Sequence, residues 1–308
     1  METYNLALAW NWEFDADFIA GTERECALRG ISSYPINPDL LPQVLKKLKE
    51  AEIAFQAFFD RASDADARFL PLVQWMEENA ICLINPHRRV VHAVDKATMH
   101  LEFITQGLHV PTTIILPPYN EQRDIHLSAE ELKPLGRPFI IKPANTTGGG
   151  SGVILNATTL EEIEKARQEH KNDKYLVQET ILPKVLGGKR GWFRITFAFG
   201  EIIPCWWDDK THRYTELGPD EEQQHAVQEL RCIMRTIERI CALDFFSSEI
   251  ALTDQGKFVV VDYVNEVCDM RPQSKYYDGA PDAIVHKIER LIAEHVGGRI
   301  RPQKEGNS

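Results

Sequence analysis

Residues 139–153 have the sequence FIIKPANTTGGGSGV, in which an apolar run ends at Lys142 and is followed by a glycine-rich loop. The glycines of this loop are Gly148, Gly149, Gly150 and Gly152. Glycine removes side chains at places where the backbone must approach a ligand closely. Consecutive amides in such a loop can bind an anion, and Lys142 adds a positive charge at its start. We therefore predict that phosphate groups bind along residues 142–152.

The residues after the loop exclude the two commonest phosphate-binding motifs. A Walker A motif needs a Lys directly after its glycines, and none is present here. A dinucleotide-binding motif needs a helix after its glycines, whereas the apolar run that begins at Val153 is typical of a strand. The predicted arrangement is strand, loop, strand, which is a flap over phosphates. From the loop alone, a plain flexible hairpin is an equally open interpretation.

The flanking sequence predicts three structural units. Strands and helices alternate before the loop region and predict a small parallel α/β domain over residues 1–88. The pattern of residues 89–180 predicts a small α+β unit that begins with a helix from about Ala93 to Gln106. Residues 181–308 predict long β segments, one long helix from Pro219 to Leu243, and a closing helix.

Composition and charge exclude several classes of function. The net charge of -11 argues against a large nucleic-acid surface, which needs clustered Lys and Arg. No apolar run approaches the roughly 20 residues of a membrane span, so we expect no membrane partner. The six cysteines are scattered and form no CxxC pair, which favours reduced thiols and a cytoplasmic location.

The order of motifs around the loop resembles the ATP-grasp superfamily, of the carboxylate–amine or carboxylate–thiol ligase type. The loop is followed by a predicted helix and by a strand, Tyr175 to Ile181, that ends in an acidic hinge. This similarity extends from Asp95 to about Ser274. Members of the superfamily include glutathione synthetase, D-alanine–D-alanine ligase and inositol-phosphate kinases. The resemblance implies an α/β leading domain followed by an ATP-grasp fold, in which two α+β subdomains clasp ATP.

The resemblance also implies which residues bind ATP. Lys96, at the start of a helix, and Lys142 would contact the phosphates. The flap over the phosphates would consist of Gly148, Gly149, Gly150 and Ser151, and the hinge that holds adenine of Gln178, Glu179 and Ile181. Arg194 follows a strand start that is similar to the family's, although the family's Asp is missing, and it would bind the acyl phosphate. Lys142 and Arg194 are thus the predicted catalytic residues.

Two predicted strands near the end of the chain carry a metal site in this interpretation. Antiparallel pairing of residues 248–252 with 259–265 would bring Glu249 close to Asp262. Two such carboxylates repel each other unless a cation lies between them, and Mg²⁺ prefers hard oxygen ligands. Asn265 would complete the site, but in a regular strand it faces away from Asp262, so the strand must bulge or end near Val264. Glu266 is the alternative third ligand.

The residues that hold the substrates are less defined by the sequence. The family keeps acceptor contacts downstream of the metal site, so Arg271 and Ser274 could hold a substrate carboxylate, and a structural role is equally open. An acceptor pocket could also use Trp206, Trp207, His212 and Tyr214, although core packing is the better interpretation for the two tryptophans.

Taken together, the motifs predict a ligase that uses ATP and Mg²⁺ to join a carboxylate to an amine through an acyl phosphate. We expect small-molecule or peptide carboxylates and amines as partners, and the resemblance leaves a homodimer open. A small-molecule kinase of the same fold and a non-catalytic nucleotide-binding module are the alternatives. The sequence does not identify the acid or the amine.

Overall fold

The chain begins with a parallel sheet in the computed structural model, which describes residues 1–80, 82–146 and 150–300. The strands of this sheet are β1 (Glu2–Trp10), β2 (Ser33–Ile36), β3 (Ile53–Arg61) and β4 (Cys82–Ile84), in the order β2-β1-β3-β4. The connecting helices are α1 (Ala16–Leu28), α2 (Leu41–Lys49) and α3 (Leu70–Asn79). Parallel sheets are covered on both faces, and the central apolar residues of β1, Leu6 to Ala9, are accordingly buried. The α/β leading unit predicted from the sequence is therefore present.

A small antiparallel sheet follows two short helices, α4 (His87–Val94) and α5 (Lys96–Thr105). Its strands are β5 (Thr113–Leu116), β6 (Phe139–Pro143), β7 (Ile154–Ala157) and β8 (Tyr175–Glu179), in the order β5-β8-β6-β7. The helices on this sheet are α6 (Ala129–Leu132) and α7 (Leu160–Ala166). Both begin with a capping box, formed by Ser128 with Glu131 and by Thr159 with Glu162, which satisfies the free amides of the first turn.

A larger antiparallel sheet fills the last part of the chain. After the ribbon β9 (Val185–Leu186) and β10 (Lys189–Arg190), its strands are β11 (Trp192–Ala198), β12 (Glu201–Asp208), β13 (Arg213–Glu216), β14 (Phe245–Leu252) and β15 (Phe258–Asn265). They lie in the order β13-β12-β11-β14-β15. The helices of this part are α8 (Pro219–Gln224), α9 (Glu229–Cys241) and α10 (Asp282–Arg299).

Two hydrophobic cores join the units across the larger sheet. On one face, α9 and α5 pack on β11 and β14 through residues such as Phe103, Met234 and Phe246. On the other face, α10 packs on α1 of the leading unit, and Phe18 and Ile288 share one core. The division into residues 1–88, 89–180 and 181–308 stays a prediction. This division assigns α5 to the second unit and α10 to the third, but α5 packs on the larger sheet and α10 packs on α1 of the leading unit. None of the helices in the described part of the chain combines the length and hydropathy needed to cross a bilayer.

Two of the predicted helices are wrong as single elements. The helix predicted from Ala93 to Gln106 is interrupted at Asp95, which caps the start of α5 with its side chain. The helix predicted from Pro219 to Leu243 is divided into α8 and α9. There Ala226 has a φ of 53°, and the amides of Ala226 and Val227 donate back to the carbonyls of Gln223 and Glu222. This pattern is a Schellman motif, which ends a helix, and it directs the buried Val227 into the core.

Candidate active site

The start of α5 places Lys96 beside the strand that carries Lys142. Asp95 accepts hydrogen bonds from two amides of the first turn of α5, and its other oxygen accepts from Lys174 Nζ at 2.6 Å. The backbone amide of Lys96 donates to the carbonyl of Ala144 at 3.1 Å, which fixes the helix start against the end of β6. Both lysine side chains are buried, each with 7% of its residue surface exposed.

Lys142 lies in the middle of a group of charges. Its Nζ donates to the carbonyl of Val261 at 3.1 Å and lies 5.4 Å from the ring centre of Tyr263. The pKa of Lys142 is lowered to about 8, mainly by burial and also by the nearby charge of Lys96, whereas Asp262 and Glu249 act in the opposite direction. An anion that entered here would favour the charged form of the lysine.

Glu249 and Asp262 face each other across β14 and β15, as the sequence predicts from the hairpin. Burial raises the pKa of Glu249, and the negative charge of Asp262 raises it further, although Arg194 opposes both effects. Burial also acts to raise the pKa of Asp262, but Lys96, Lys142 and Arg194 together hold it below its usual value. Lys96 Nζ lies 3.8 Å from Asp262 Oδ1.

Arg194 reaches the same carboxylates from the neighbouring strand. It pairs with Glu249 in the register of β11 and β14, and its Nη1 lies 3.4 Å from Glu249 Oε1. The other oxygen of Glu249 accepts from Trp192 Nε1 at 3.0 Å. The guanidinium carbon of Arg194 lies 5.0 Å from the ring centre of Trp207 and 6.0 Å from that of Tyr214. We call Lys96, Lys142, Arg194, Glu249 and Asp262 the charged cluster.

The strand β15 is irregular around Asp262. The register shifts between the pairs Ser247–Asn265 and Glu249–Asp262, so β15 has one residue more than β14 over this interval. Such a bulge changes the alternation of side chains. The side chain of Asn265 accordingly approaches Asp262 and helps to hold the pKa of that carboxyl below its usual value.

The alternative ligand Glu266 lies elsewhere. Its Oε1 accepts a hydrogen bond from Asn85 Nδ2 at 3.1 Å, and Asn85 directly follows β4 of the leading unit. The pKa of Glu266 is raised to about 8, mainly by burial and also by Asp60 and Asp64 of the leading unit, although the hydrogen bond from Asn85 opposes this shift. Glu266 therefore belongs to the contact between the leading unit and β15, and Asn265 is the better candidate for the metal site.

The oxygen atoms of Glu249 and Asp262 fit a hard divalent cation. No group of three or more His, Cys, Asp and Glu side chains that could hold a metal occurs among residues 1–80, 82–146 and 150–300. Mg²⁺ at a nucleotide site needs only one or two carboxylates, because phosphate oxygens and waters provide its other ligands. A cation would also relieve the repulsion that raises the pKa of Glu249.

The three predicted hinge residues have different surroundings. Gln178 is 2% exposed, and its Nε2 donates to Tyr263 Oη at 2.9 Å and to Thr113 Oγ1 at 2.8 Å, so its side chain has a structural role. Glu179 pairs with Thr112 twice, through its own amide and through its Oε1, which accepts from the Thr112 amide at 2.8 Å. Ile181 lies two residues beyond the end of β8 and is half-buried.

Comparisons with known proteins identify the fold. No protein-family model and no curated protein sequence matches the chain. Among solved structures, a D-alanine–D-alanine ligase from Bacillus anthracis complexed with ATP has a TM-score of 0.66 and 14% identity, with 97% of this chain and 99% of that chain covered. An ATP-grasp RimK domain protein from Sphaerobacter thermophilus has a TM-score of 0.64 and 18% identity, with coverages of 94% and 98%.

The D-cycloserine synthetase DcsG has a TM-score of 0.62 and 16% identity, and the match covers 94% of this chain and 99% of that chain. The chain has the ATP-grasp fold. Since these matches cover nearly the whole chain, the leading α/β unit is part of the shared architecture. In this ATP-grasp fold the charged cluster lies between the smaller sheet, which carries Lys142, and the larger sheet, which carries both carboxylates and Arg194.

Part of the predicted flap of the ATP-grasp fold lies outside the described residues. This holds for Gly148 and Gly149, whereas Gly150 and Ser151 are described. Gly150 has a φ of 80° and Gly152 a φ of 70°, conformations that glycine adopts without strain. Ser151 is exposed.

The two tentative substrate residues have structural partners. The guanidinium of Arg271 donates to both oxygens of Asp269 and to Asp278 Oδ2 at 2.9 Å, and it lies 5.3 Å from the ring centres of Trp12 and Tyr276. The amide of Ser274 donates to Asp282 Oδ1 at 3.0 Å. Because two carboxylates already neutralise Arg271, we do not propose it as a substrate ligand. The partners lie two and seven residues from Arg271, and the sequence alone does not reveal them.

A buried network behind Lys142 has no signal in the sequence motifs. Tyr263 Oη lies 2.6 Å from His100 Nδ1 and accepts from Gln178, so it joins α5, β8 and β15. Burial lowers the pKa of His100 to about 4, with a contribution from the charge of Lys142, and burial raises the pKa of Tyr263 well above its usual value. Both side chains are therefore neutral near pH 7. The hydroxyl of Tyr263, beside the apolar residues of β15, is the one feature of the sequence that could have indicated this network.

Proposed function

We propose that this protein is an ATP-dependent ligase that joins a carboxylate to an amine through an acyl phosphate and releases ADP and phosphate. The observation that carries the proposal is the position of Arg194 beside Glu249, on the sheet that faces Lys142. Two lysines suit the phosphates of ATP, and an arginine with planar, paired donors suits the acyl phosphate. The solved structures with the same fold include proteins described as D-alanine–D-alanine ligase and D-cycloserine synthetase.

The reaction would have two steps. An oxygen of the substrate carboxylate attacks the γ-phosphorus of ATP, the bond to the bridging oxygen breaks, and ADP leaves. The amine nitrogen then attacks the acyl carbon, the bond to the phosphate oxygen breaks, and the proton of the amine passes to phosphate or solvent. Neither step requires a nucleophile from the protein, so catalysis consists of positioning and charge stabilisation.

Each member of the charged cluster has a role in this proposal. Lys142 and Lys96 bind the phosphates of ATP, and Lys142 also neutralises charge on the transferred phosphoryl group. Arg194 binds the acyl phosphate in both steps. Glu249, Asp262 and Asn265 would hold Mg²⁺, which would neutralise charge on the phosphates of ATP.

The substrates are proposed only by class. Structures of the same fold include one described as a macrocyclase bound with a precursor peptide, so a peptide carboxylate is as suitable a substrate as a small acid. Adenine would lie against the residues that follow β8, near Glu179 and Ile181. The cytoplasmic location and a homodimer remain predictions from the sequence.

Trapping the acyl phosphate with hydroxylamine tests this proposal. The protein is incubated with ATP, Mg²⁺ and pools of small acids and peptides, one set with hydroxylamine and one set without it. We expect at least one pool to yield a hydroxamate and to release ADP. With the same acid labelled with ¹⁸O in its carboxylate, the released phosphate should contain one labelled oxygen.

Two results would contradict the proposal. A stable phosphorylated alcohol, with no hydroxamate from any pool, would identify a kinase of the same fold. Binding of ATP without turnover in any pool would favour a non-catalytic module. For an active pool, Arg194→Lys should lower hydroxamate formation about a hundredfold, because one misplaced donor to a developing oxyanion costs a factor of this order.

A further inference from the structure

The turn of residues 170–174, between α7 and β8, lies against the base of the glycine-rich loop. Asp173 in this turn is 7% exposed. Within the described residues, its carboxylate accepts four hydrogen bonds, all from the two residues that lead into the loop. Asn145 donates through its amide and its Nδ2, both at 2.9 Å, and Thr146 through its amide and its Oγ1, both at 3.0 Å.

The same turn contacts the other end of the loop. Gly152 returns the chain toward β7 with a φ of 70°. A Cβ atom on Gly152 would lie 3.2 Å from His170 Nε2 and 3.2 Å from Pro143 Cγ, which is closer than ordinary packing allows. The outgoing and returning ends of the loop thus both lie against the 170–174 turn.

Hydrogen bonds also connect this turn to the two buried lysines. The amide of Ala144 donates to the carbonyl of Lys174 at 2.8 Å, and the carbonyl of Ala144 accepts from the amide of Lys96. Lys174 Nζ donates to Asp95, the residue that caps the helix beginning with Lys96. One turn therefore contacts the loop base directly and the start of α5 through Asp95.

We propose that Asp173 is a positioning residue, which orients the base of the glycine-rich loop so that the loop can bind the phosphates of ATP. This inference rests on the proposed nucleotide site, and it assigns Asp173 no contact with ATP. A carboxylate that accepts bonds from two consecutive amides favours one backbone conformation at this point. Without it, the loop base would have to be ordered when ATP binds, and the ordering would reduce affinity.

The inference predicts a difference between ATP and adenosine. Adenosine has no phosphates and would bind only at the hinge beyond β8, so its affinity should not depend on Asp173. We expect Asp173→Ala to weaken the binding of ATP with Mg²⁺ about tenfold and to leave adenosine binding unchanged. Asp173→Asn should recover part of the loss, because one side-chain oxygen remains. The side-chain amide of Asn145 can also rotate so that its oxygen accepts a hydrogen bond from the new NH₂.

Isothermal titration calorimetry with both ligands measures this difference. The matched control is Asn172→Ala in the same turn, because Asn172 accepts from Asn120 Nδ2 in an exposed contact at 2.6 Å. If Asp173→Ala does not fold, the double variant Asn145→Ala/Thr146→Val removes two of the four donors and leaves the turn intact. This double variant should also weaken the binding of ATP and leave the binding of adenosine unchanged.

Four outcomes are informative. Loss of ATP affinity with adenosine affinity retained supports the inference. Wild-type affinity for ATP in Asp173→Ala or in the double variant overturns it, and so does an equal loss for both ligands. If the wild-type protein binds no ATP at all, the proposed function itself fails, and this result is distinct from a failure of the inference.

Discussion

At the scale of single residues, burial determines the chemistry of Lys142. A lysine in water keeps its proton far above neutral pH, but here burial brings the pKa to about 8. The carboxylates of Asp262 and Glu249 prevent a larger decrease. The lysine is therefore charged at neutral pH and loses its proton just above it, so ligand binding should depend on its protonation.

The binding of ATP should take up a proton at alkaline pH if Lys142 contacts the phosphates. Phosphates favour the charged lysine, so above pH 8 the free protein must gain a proton when ATP binds. We expect ATP affinity to fall between about pH 7 and about pH 9, with uptake of close to one proton at the upper end. Calorimetry in buffers of different ionisation enthalpy measures this uptake.

The matched variants for this experiment are Lys142→Met and Lys133→Met. Lys133 is on the surface, with its side chain 77% exposed, so its variant should behave like the wild type. Lys142→Met should bind ATP more weakly and take up no proton. Proton uptake of the same size in Lys142→Met would show that another group titrates and would remove Lys142 from the phosphate site.

At the scale of elements, one face of the hairpin of β14 and β15 carries the proposed metal ligands, and the other face packs in the core. Asp262 points to the charged cluster, and the next residue, Tyr263, points into the core and bonds to His100 and Gln178. The bulge after Asp262 allows Asn265 to approach the carboxylate again. One strand therefore serves both the charged cluster and the packing of the two sheets.

Replacement of Tyr263 by Phe should destabilise the protein without changing its shape. The variant removes one hydroxyl and leaves His100 Nδ1 and part of Gln178 without their partner in a buried site. An unsatisfied buried polar group costs about 1–3 kcal/mol, and we expect a loss of this size in denaturant unfolding. Tyr277→Phe is the control, because Tyr277 is 61% exposed and its variant should change the stability very little. Equal stabilities of the two variants would contradict the role of the network.

The sequence predicts those structural elements that depend on residues close together in the chain. The pairing of Glu249 with Asp262 follows from two apolar strands and a short turn, and the structure confirms it. The break between α8 and α9 was missed because Ala226, which takes a positive φ there, is an ordinary helix former. The contact of His100 with Tyr263 joins residues 163 positions apart in the chain, and no local sequence pattern predicts a contact between such distant residues.

At the scale of the whole molecule, the leading unit is joined to the larger sheet by buried polar contacts as well as by packing. Arg61 donates to both oxygens of Asp15 and to the carbonyl of Cys268, and the side chains of Arg61 and Asp15 are each 1% exposed. Asn85 bonds to the backbone at the start of β14 and to Glu266. These contacts connect the carboxyl ends of β3 and β4 to the chain that follows the proposed metal ligands.

The charged cluster itself depends on this arrangement, since its members come from separate parts of the chain. Lys96 comes from α5, Lys142 from the smaller sheet, and the remaining three residues from the larger sheet. We propose that these five residues form one site for ATP and Mg²⁺. Binding of ATP and Mg²⁺ requires neither the acid nor the amine, so the site can be tested before either substrate is known.

The most direct test compares ATP affinity with Mg²⁺ and with a chelator, in the wild type and in Glu249→Gln/Asp262→Asn. Asp254→Asn, in the exposed turn of the same hairpin, is the control. We predict that Mg²⁺ strengthens ATP binding at least about tenfold in the wild type and the control, and has no such effect in the double variant. With chelator, the double variant should bind ATP at least as well as the wild type, because two negative charges are gone. An equal effect of Mg²⁺ in all three proteins would contradict the account.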